Sequence, residues 1–183
     1  MNAKPNTMKR ILGIAILATL IACNQTEKKT SENKDSVSKD SVANKNVVSL
    51  KNQKVNTIFN QYQDLKNAFV ASDSLSVQKH ATLLQTSLAN YAGCEATAAV
   101  AKSIAETNDL ISQRKNFTAL SADLISLLKN ADITSGTVYV QHCPMANKGD
   151  GGDWLSTEKE IRNPYYGNEM LECGRVTEEI KAK

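Results

Sequence analysis

From about residue 53 onward the apolar residues recur with the period of a helix. Val55, Ile58, Phe59, Tyr62, Leu65 and Phe69 fall on one face of a first helix. Ser72 and Asp73 interrupt the run, and Asp73 is of the type that caps a following helix. Val77, Ala81, Leu84, Leu88 and Tyr91 step by four and three residues along a second helix, which Gly93 ends. Thr97, Val100, Ala101 and Ile104 predict a third helix, thin because it is rich in alanine. Thr107 or Asn108 restarts the pattern. Ile111, Phe117, Leu120 and Leu124, with Leu127 or Leu128, then form the inner face of a fourth. Short connections make neighbouring amphipathic helices antiparallel. The expected fold is therefore mainly α, a small antiparallel helical bundle of about four helices. The stripes read as core, and none of them reads as a cofactor site.

Past Gly136 the period changes. Thr137-Val138-Tyr139-Val140-Gln141-His142 is β-branched and aromatic, hence strand-like, and runs into Cys143-Pro144-Met145. Asp150-Gly151-Gly152-Asp153 reads as a turn. Asn163-Pro164 and Tyr166-Gly167 punctuate the stretch after it, and Gly174 closes that stretch. The expectation is a helical domain over residues 51–183 whose last part, about 136–183, is a short β-containing tail. Trp154 and three of the five tyrosines sit in that tail, so the chemistry is concentrated there. Trp154, Tyr165 and Tyr166 are either core or a docking surface, and aromatics in a small domain are more often core.

Upstream of the helices the pattern is of another kind. Lys4, Lys9 and Arg10 precede an apolar run, Ile11 to Ala22, with no acid among them. A basic start, a short apolar stretch and a small residue before the cut describe a secretory signal over residues 1–22. The run is well short of the roughly 20 apolar residues that span a hydrocarbon core. Leu20-Ile21-Ala22-Cys23 resembles the bacterial lipobox, which implies cleavage before Cys23 and lipid on its thiol. The expected location is then the periplasm-facing side of the cell envelope, held by a lipid anchor. Asn24, in place of the Asp that favours inner-membrane retention in some bacteria, points to the outer membrane. Residues 23–50 are polar and free of aromatics, and they repeat Lys-Asp-Ser-Val, so they read as a lipidated, disordered tether. The signal holds three of the 22 basic residues and none of the 19 acids, so what remains has 19 of each. The apparent basicity belongs to export, and nucleic acid is not an expected partner.

Charge having dropped out, sulfur is what remains distinctive. Cys143 and Met145 are two apart, which in an extended chain puts both on one face. Met170 and Cys173 are three apart, which on a helical turn does the same. If the segments pack together, two thiolates and two thioethers converge, and such donors select a soft ion, Cu(I) above all. His142 is an optional fifth ligand, from the opposite strand face or from a bent backbone. The competing expectation is a Cys143–Cys173 disulfide, since exported cysteines oxidise and the loop closure stabilises by roughly 3–4 kcal/mol. Spacing alone leaves these two readings equal. His80 and Cys94 read as half-buried packing and as a small core residue respectively. There is no ordered nucleophile, base and acid and no phosphate-cradling loop, so an enzyme is not expected. Asp150 and Asp153 supply too few oxygens for calcium.

The tail also carries a resemblance. Val138 to Ala146, Asp153-Trp154-Leu155-Ser156, Glu160 to Gly167 and Met170-Leu171-Glu172-Cys173-Gly174 resemble an uncharacterised bacterial domain family, over about residues 53–180. That family occurs in exported lipoproteins and at the ends of periplasmic adaptor subunits of copper/silver efflux systems. Cys-Pro-Met is similar to a short heavy-metal-binding motif of such adaptors, although Ala146 stands where that motif has His. The resemblance implies copper as the ion and an efflux adaptor as a partner. It implies a role in metal buffering or delivery.

Overall fold

The computed structural model describes residues 47–182. The stretch read as a signal, Cys23 as the expected lipidation site and the expected tether as far as residue 46 lie outside the described residues. Among the described residues no helix is long and apolar enough to cross a membrane.

Four helices take up nearly half of the described residues: α1 (Gln53–Val70), α2 (Ser74–Ala89), α3 (Glu95–Ala105) and α4 (Leu110–Lys129). Their starts follow from local chemistry. Asn52 caps α1 by accepting from the Lys54 and Val55 N–H groups, and Asp73 caps α2 through Leu75 and Ser76. Asp109, not Thr107 or Asn108, caps α4 by accepting the Ser112 N–H. The Thr107 hydroxyl instead accepts from the Asp109 N–H, one step upstream. α2 packs against α1 and α3, and α3 packs against α4. The buried residues of α1 and α2 include the stripes read from their period: Val55, Ile58, Phe59, Tyr62, Leu65 and Phe69, then Val77, Ala81, Leu84 and Leu88. α4 departs from expectation at its first turn, where Ile111 is 79% exposed and Gln113 is fully buried. Gln113 steps by four to Phe117, whereas Ile111 is six away and so lies off that face. Gln113 is accommodated because its side-chain amide donates to the carbonyls of Thr107 and Ser74.

Two small antiparallel sheets complete the fold. β1 (Ser49–Leu50) pairs with β2 (Ile133–Ser135), Ser49 opposite Ser135. Val48 and Leu50 are buried, so the end of the stretch that composition assigns to the tether packs into the core. In the tail, β3 (Thr137–Cys143) lies between β4 (Gly152–Ser156) and β5 (Arg175–Lys181). Gly152 and Asp153, read from sequence as turn, are strand residues opposite Cys143 and His142. The turn is further upstream, at 144–151, where Asn147 and Lys148 take positive φ. The Asn147 amide holds it, donating to Thr118 Oγ1 on α4 and to the Gly151 carbonyl.

An aromatic chain joins the helices to the tail. Tyr62 of α1 stacks on Phe117 of α4 with centroids 5.5 Å apart, and Phe69 meets the same ring at 4.6 Å. Phe117 contacts Tyr165, which contacts Trp154 edge-on. Trp154 and Tyr165 are buried, so these two rings are core and not a docking surface. Arg114 on α4 fastens the outer loop. Its Nε donates to the Pro164 carbonyl at 2.9 Å, and its Nη2 donates to Ser72 Oγ at 2.9 Å and the Phe69 carbonyl at 3.3 Å. Gly167 (φ 58) sits under this clamp, where a Cβ would meet Ser72 Oγ at 2.5 Å.

Candidate metal centre

β3 and β5 are antiparallel, with His142 opposite Arg175. The last residue of β3 and the residues entering β5 are therefore neighbours in space. That register brings Cys143 Sγ to 3.5 Å from Cys173 Sγ, both as free thiols. Cys143 is fully buried and Cys173 half-buried. The hydrogen bond to Cys143, with some desolvation, holds the Cys173 thiol above the usual cysteine range. Gly174 makes the approach possible. Its φ is 152, and a Cβ there would lie 2.8 Å from the His142 carbonyl oxygen and 3.0 Å from the Trp154 ring.

Asn163, fully buried, shapes the loop that delivers Cys173. Its Nδ2 donates to the Cys173 carbonyl at 2.9 Å, its Oδ1 accepts from the Tyr165 N–H at 2.8 Å, and its own N–H donates to the Leu171 carbonyl at 2.8 Å. A single amide thus ties both ends of the segment between Tyr165 and Cys173. Tyr166 makes a second tie, its hydroxyl donating to the Met145 carbonyl at 2.6 Å.

The two methionines are arranged less simply than their spacing suggests. β3 stops at Cys143, and Met145 lies in a turn with φ −90 and ψ −10. The extended geometry that would put Cys143 and Met145 on one face is therefore absent, and Met145 is 50% exposed. Met170 is half-buried and shares a tight turn with Cys173, whose N–H donates to the Met170 carbonyl at 3.1 Å. His142 is adjacent to Cys143 on a strand, so its side chain leaves by the other face. There its Nδ1 lies 2.8 Å from Asp153 Oδ1, directly across the β3–β4 ladder. A carboxylate in that position fixes the ring, whose Nε2 then lies on the Gly151 side.

Among the described residues no group of three or more His, Cys, Asp and Glu is placed to hold a metal ion. A metal at this site would therefore take two thiolates and complete its sphere with thioether or exogenous ligands. Two sulfurs each about 2.3 Å from one ion can be up to about 4.6 Å apart. A 3.5 Å pair corresponds to an angle of about 100° at the ion, within reach of a trigonal or tetrahedral soft centre. A disulfide would need the sulfurs to close to about 2.05 Å, a side-chain movement of about 1.5 Å.

The Asp153–His142 pair and the Asn163 and Tyr166 ties have no counterpart in the sequence pattern. A hairpin centred between Asn147 and Lys148 would have placed Asp153 opposite His142, but the glycines at 149, 151 and 152 hide the start of β4. Of the other two candidates, Cys94 is a buried free cysteine, and His80 is half-buried on α2.

Residues 58–136 match a family model described as a protein of unknown function (DUF3347). The match lies on the helical part and ends one residue before β3, so the sulfur-bearing tail is outside it. No curated protein and no solved structure matches the chain.

Proposed function

We propose that this protein is a lipid-anchored binding protein for a soft metal ion, Cu(I), in which Cys143 and Cys173 are the thiolate ligands. In this reading the four helices form a small antiparallel bundle that serves as scaffold, and the tail is the working part. Met170 and Met145 supply thioethers from the two flanking turns. His142, oriented by Asp153 on the other face of β3, is left outside this ligand set. The anchor at Cys23 places the protein on the periplasm-facing side of the envelope, at the outer membrane, where it buffers copper or passes it to an efflux adaptor without catalysing a reaction. The observation that carries the reading is the 3.5 Å approach of two free sulfurs thirty positions apart in sequence. Thiolate and thioether donors prefer Cu(I) to harder ions, and thioethers persist where thiols oxidise.

The same distance, with no third His, Cys, Asp or Glu beside it among the described residues, favours a second reading in which Cys143 and Cys173 form a structural disulfide. The two states exclude each other while the sulfurs are oxidised. Intact-mass measurement on protein purified from its own envelope separates them, followed by Cu(I) titration after reduction. The metal reading expects reduced thiols or copper-loaded protein and one equivalent of tightly held Cu(I). It also expects that Met145→Leu combined with Met170→Leu weakens binding by at least about tenfold with the fold intact. A disulfide mass with no uptake after reduction would falsify it.

A further inference from the structure

We infer that the sulfur pair is filled from one side, Cys173 bonding an incoming soft ion first and the buried Cys143 second. This rests on the metal reading above and adds the order of ligand exchange and the chemical class of the donor.

The pair is asymmetric. Cys143 has no exposed surface, ends the central strand of its sheet and has Gly152 and β4 on its flank. Cys173 keeps part of its surface and lies on the turn begun by Met170. The hydrogen bond from one thiol to the other marks a direct path between the sulfurs. No comparable path leads to Cys143 from solvent while the tail is folded, since Trp154 and Tyr165 pack the same region at 0% and 5% exposure.

A donor that buries its ion completely cannot reach even Cys173 by direct contact. The partner must be a carrier that holds Cu(I) on exchangeable sulfur or nitrogen ligands with one side open. Transfer is then ligand exchange without oxidation or reduction. The Cys173 sulfur bonds the ion and its proton goes to solvent. One donor ligand departs, the Cys143 sulfur bonds with loss of a second proton, and the last donor ligand leaves. Copper remains Cu(I) throughout, and two thiol protons are exchanged for one bound cation.

The test uses reduced full-length protein, with Cu(I) presented as its bis-bicinchoninate complex and uptake followed by loss of that colour. Cys173→Ser is expected to slow the initial uptake by at least about tenfold. Cys143→Ser or Cys143→Ala removes the second ligand, so it is expected to lower final affinity and to slow the initial uptake several-fold less than Cys173→Ser does. Equal slowing in both positions, or a larger effect at Cys143, overturns the order while leaving the metal reading standing. A wild type that takes up no Cu(I) overturns both. Because Cys143 is in the core, a second measurement avoids substitution altogether. In reduced, metal-free wild type, iodoacetamide should modify Cys173 at least about tenfold faster than Cys143 by peptide mass mapping. Comparable rates there overturn the order as well.

Discussion

Removing one oxygen from Tyr62 tests how the tail is fixed to the helices. Tyr62 is completely buried, and its hydroxyl lies 2.8 Å from Ser121 Oγ while accepting the Leu155 N–H at 3.1 Å. β4 is an edge strand, so the phenol supplies a partner that a neighbouring strand would otherwise provide. Tyr62→Phe keeps the ring stack on Phe117 and leaves that N–H buried without an acceptor, which costs about 1–3 kcal/mol. Ser121 can turn its hydroxyl to a carbonyl of its own helix, so its share is small. For a domain of this size a loss of about 2 kcal/mol lowers Tm by roughly 8 °C. Urea unfolding followed by the fluorescence of buried Trp154 measures it. Ser121→Ala added to Tyr62→Phe should cost little more, because the partner is already gone. Alkaline pH gives an independent reading. Burial raises the Tyr62 pKa well above its ordinary value, so the folded protein keeps a proton that the unfolded chain releases near pH 10. The unfolded state then binds fewer protons, and wild-type stability falls above about pH 10 by up to about 1.4 kcal/mol per pH unit for this tyrosine. Tyr62→Phe should flatten that fall. A change in stability below about 0.5 kcal/mol at neutral pH would refute the account of the edge strand.

Two further substitutions probe the same junction. Lys66 is 3% exposed, and burial lowers its pKa from 10.5 to about 8, partly offset by Glu158. Between about pH 8 and 10.5 the unfolded chain therefore binds the extra proton, so this residue makes stability rise with pH in that window. Lys66→Met should stabilise the protein at pH 7 by on the order of 1–3 kcal/mol, with the gain shrinking toward pH 10 in thermal unfolding at several pH values. Arg114→Met removes three donated hydrogen bonds and should cost about 1–3 kcal/mol. It should also speed amide exchange at residues 163–167 more than in α2, as read by hydrogen-exchange mass spectrometry.

α1 and α2 are legible because each presents an unbroken apolar stripe to a single core, and one period accounts for Val55 through Leu88. The stripe misleads at Ile111, where the first turn of α4 leaves the isoleucine exposed and a glutamine takes the buried position. β1 and β2 are invisible because two and three residues carry no period. In the tail, spacing shows that Cys143 and Cys173 could meet, but only the β3–β5 register brings their sulfurs together. Spacing misplaces Met145 because a shared face with Cys143 requires the strand to continue through Pro144, and it ends one residue earlier. The Asn163 and Tyr166 ties are made by polar groups of irregular loops, which leave no trace in periodicity.

The pairing of β1 with β2 places Ser49 beside Ser135, so the helical segment starts and finishes at one point. The chain before residue 49 and the chain beyond residue 135 emerge about one strand spacing apart, ~4.8 Å, however long the helices between them are. A segment closed in this way can be spliced between two unrelated stretches of chain without spreading them. The distance from Ser49 to the start of β3 is then set by a five-residue seam and is insensitive to insertions at the far ends of the helices.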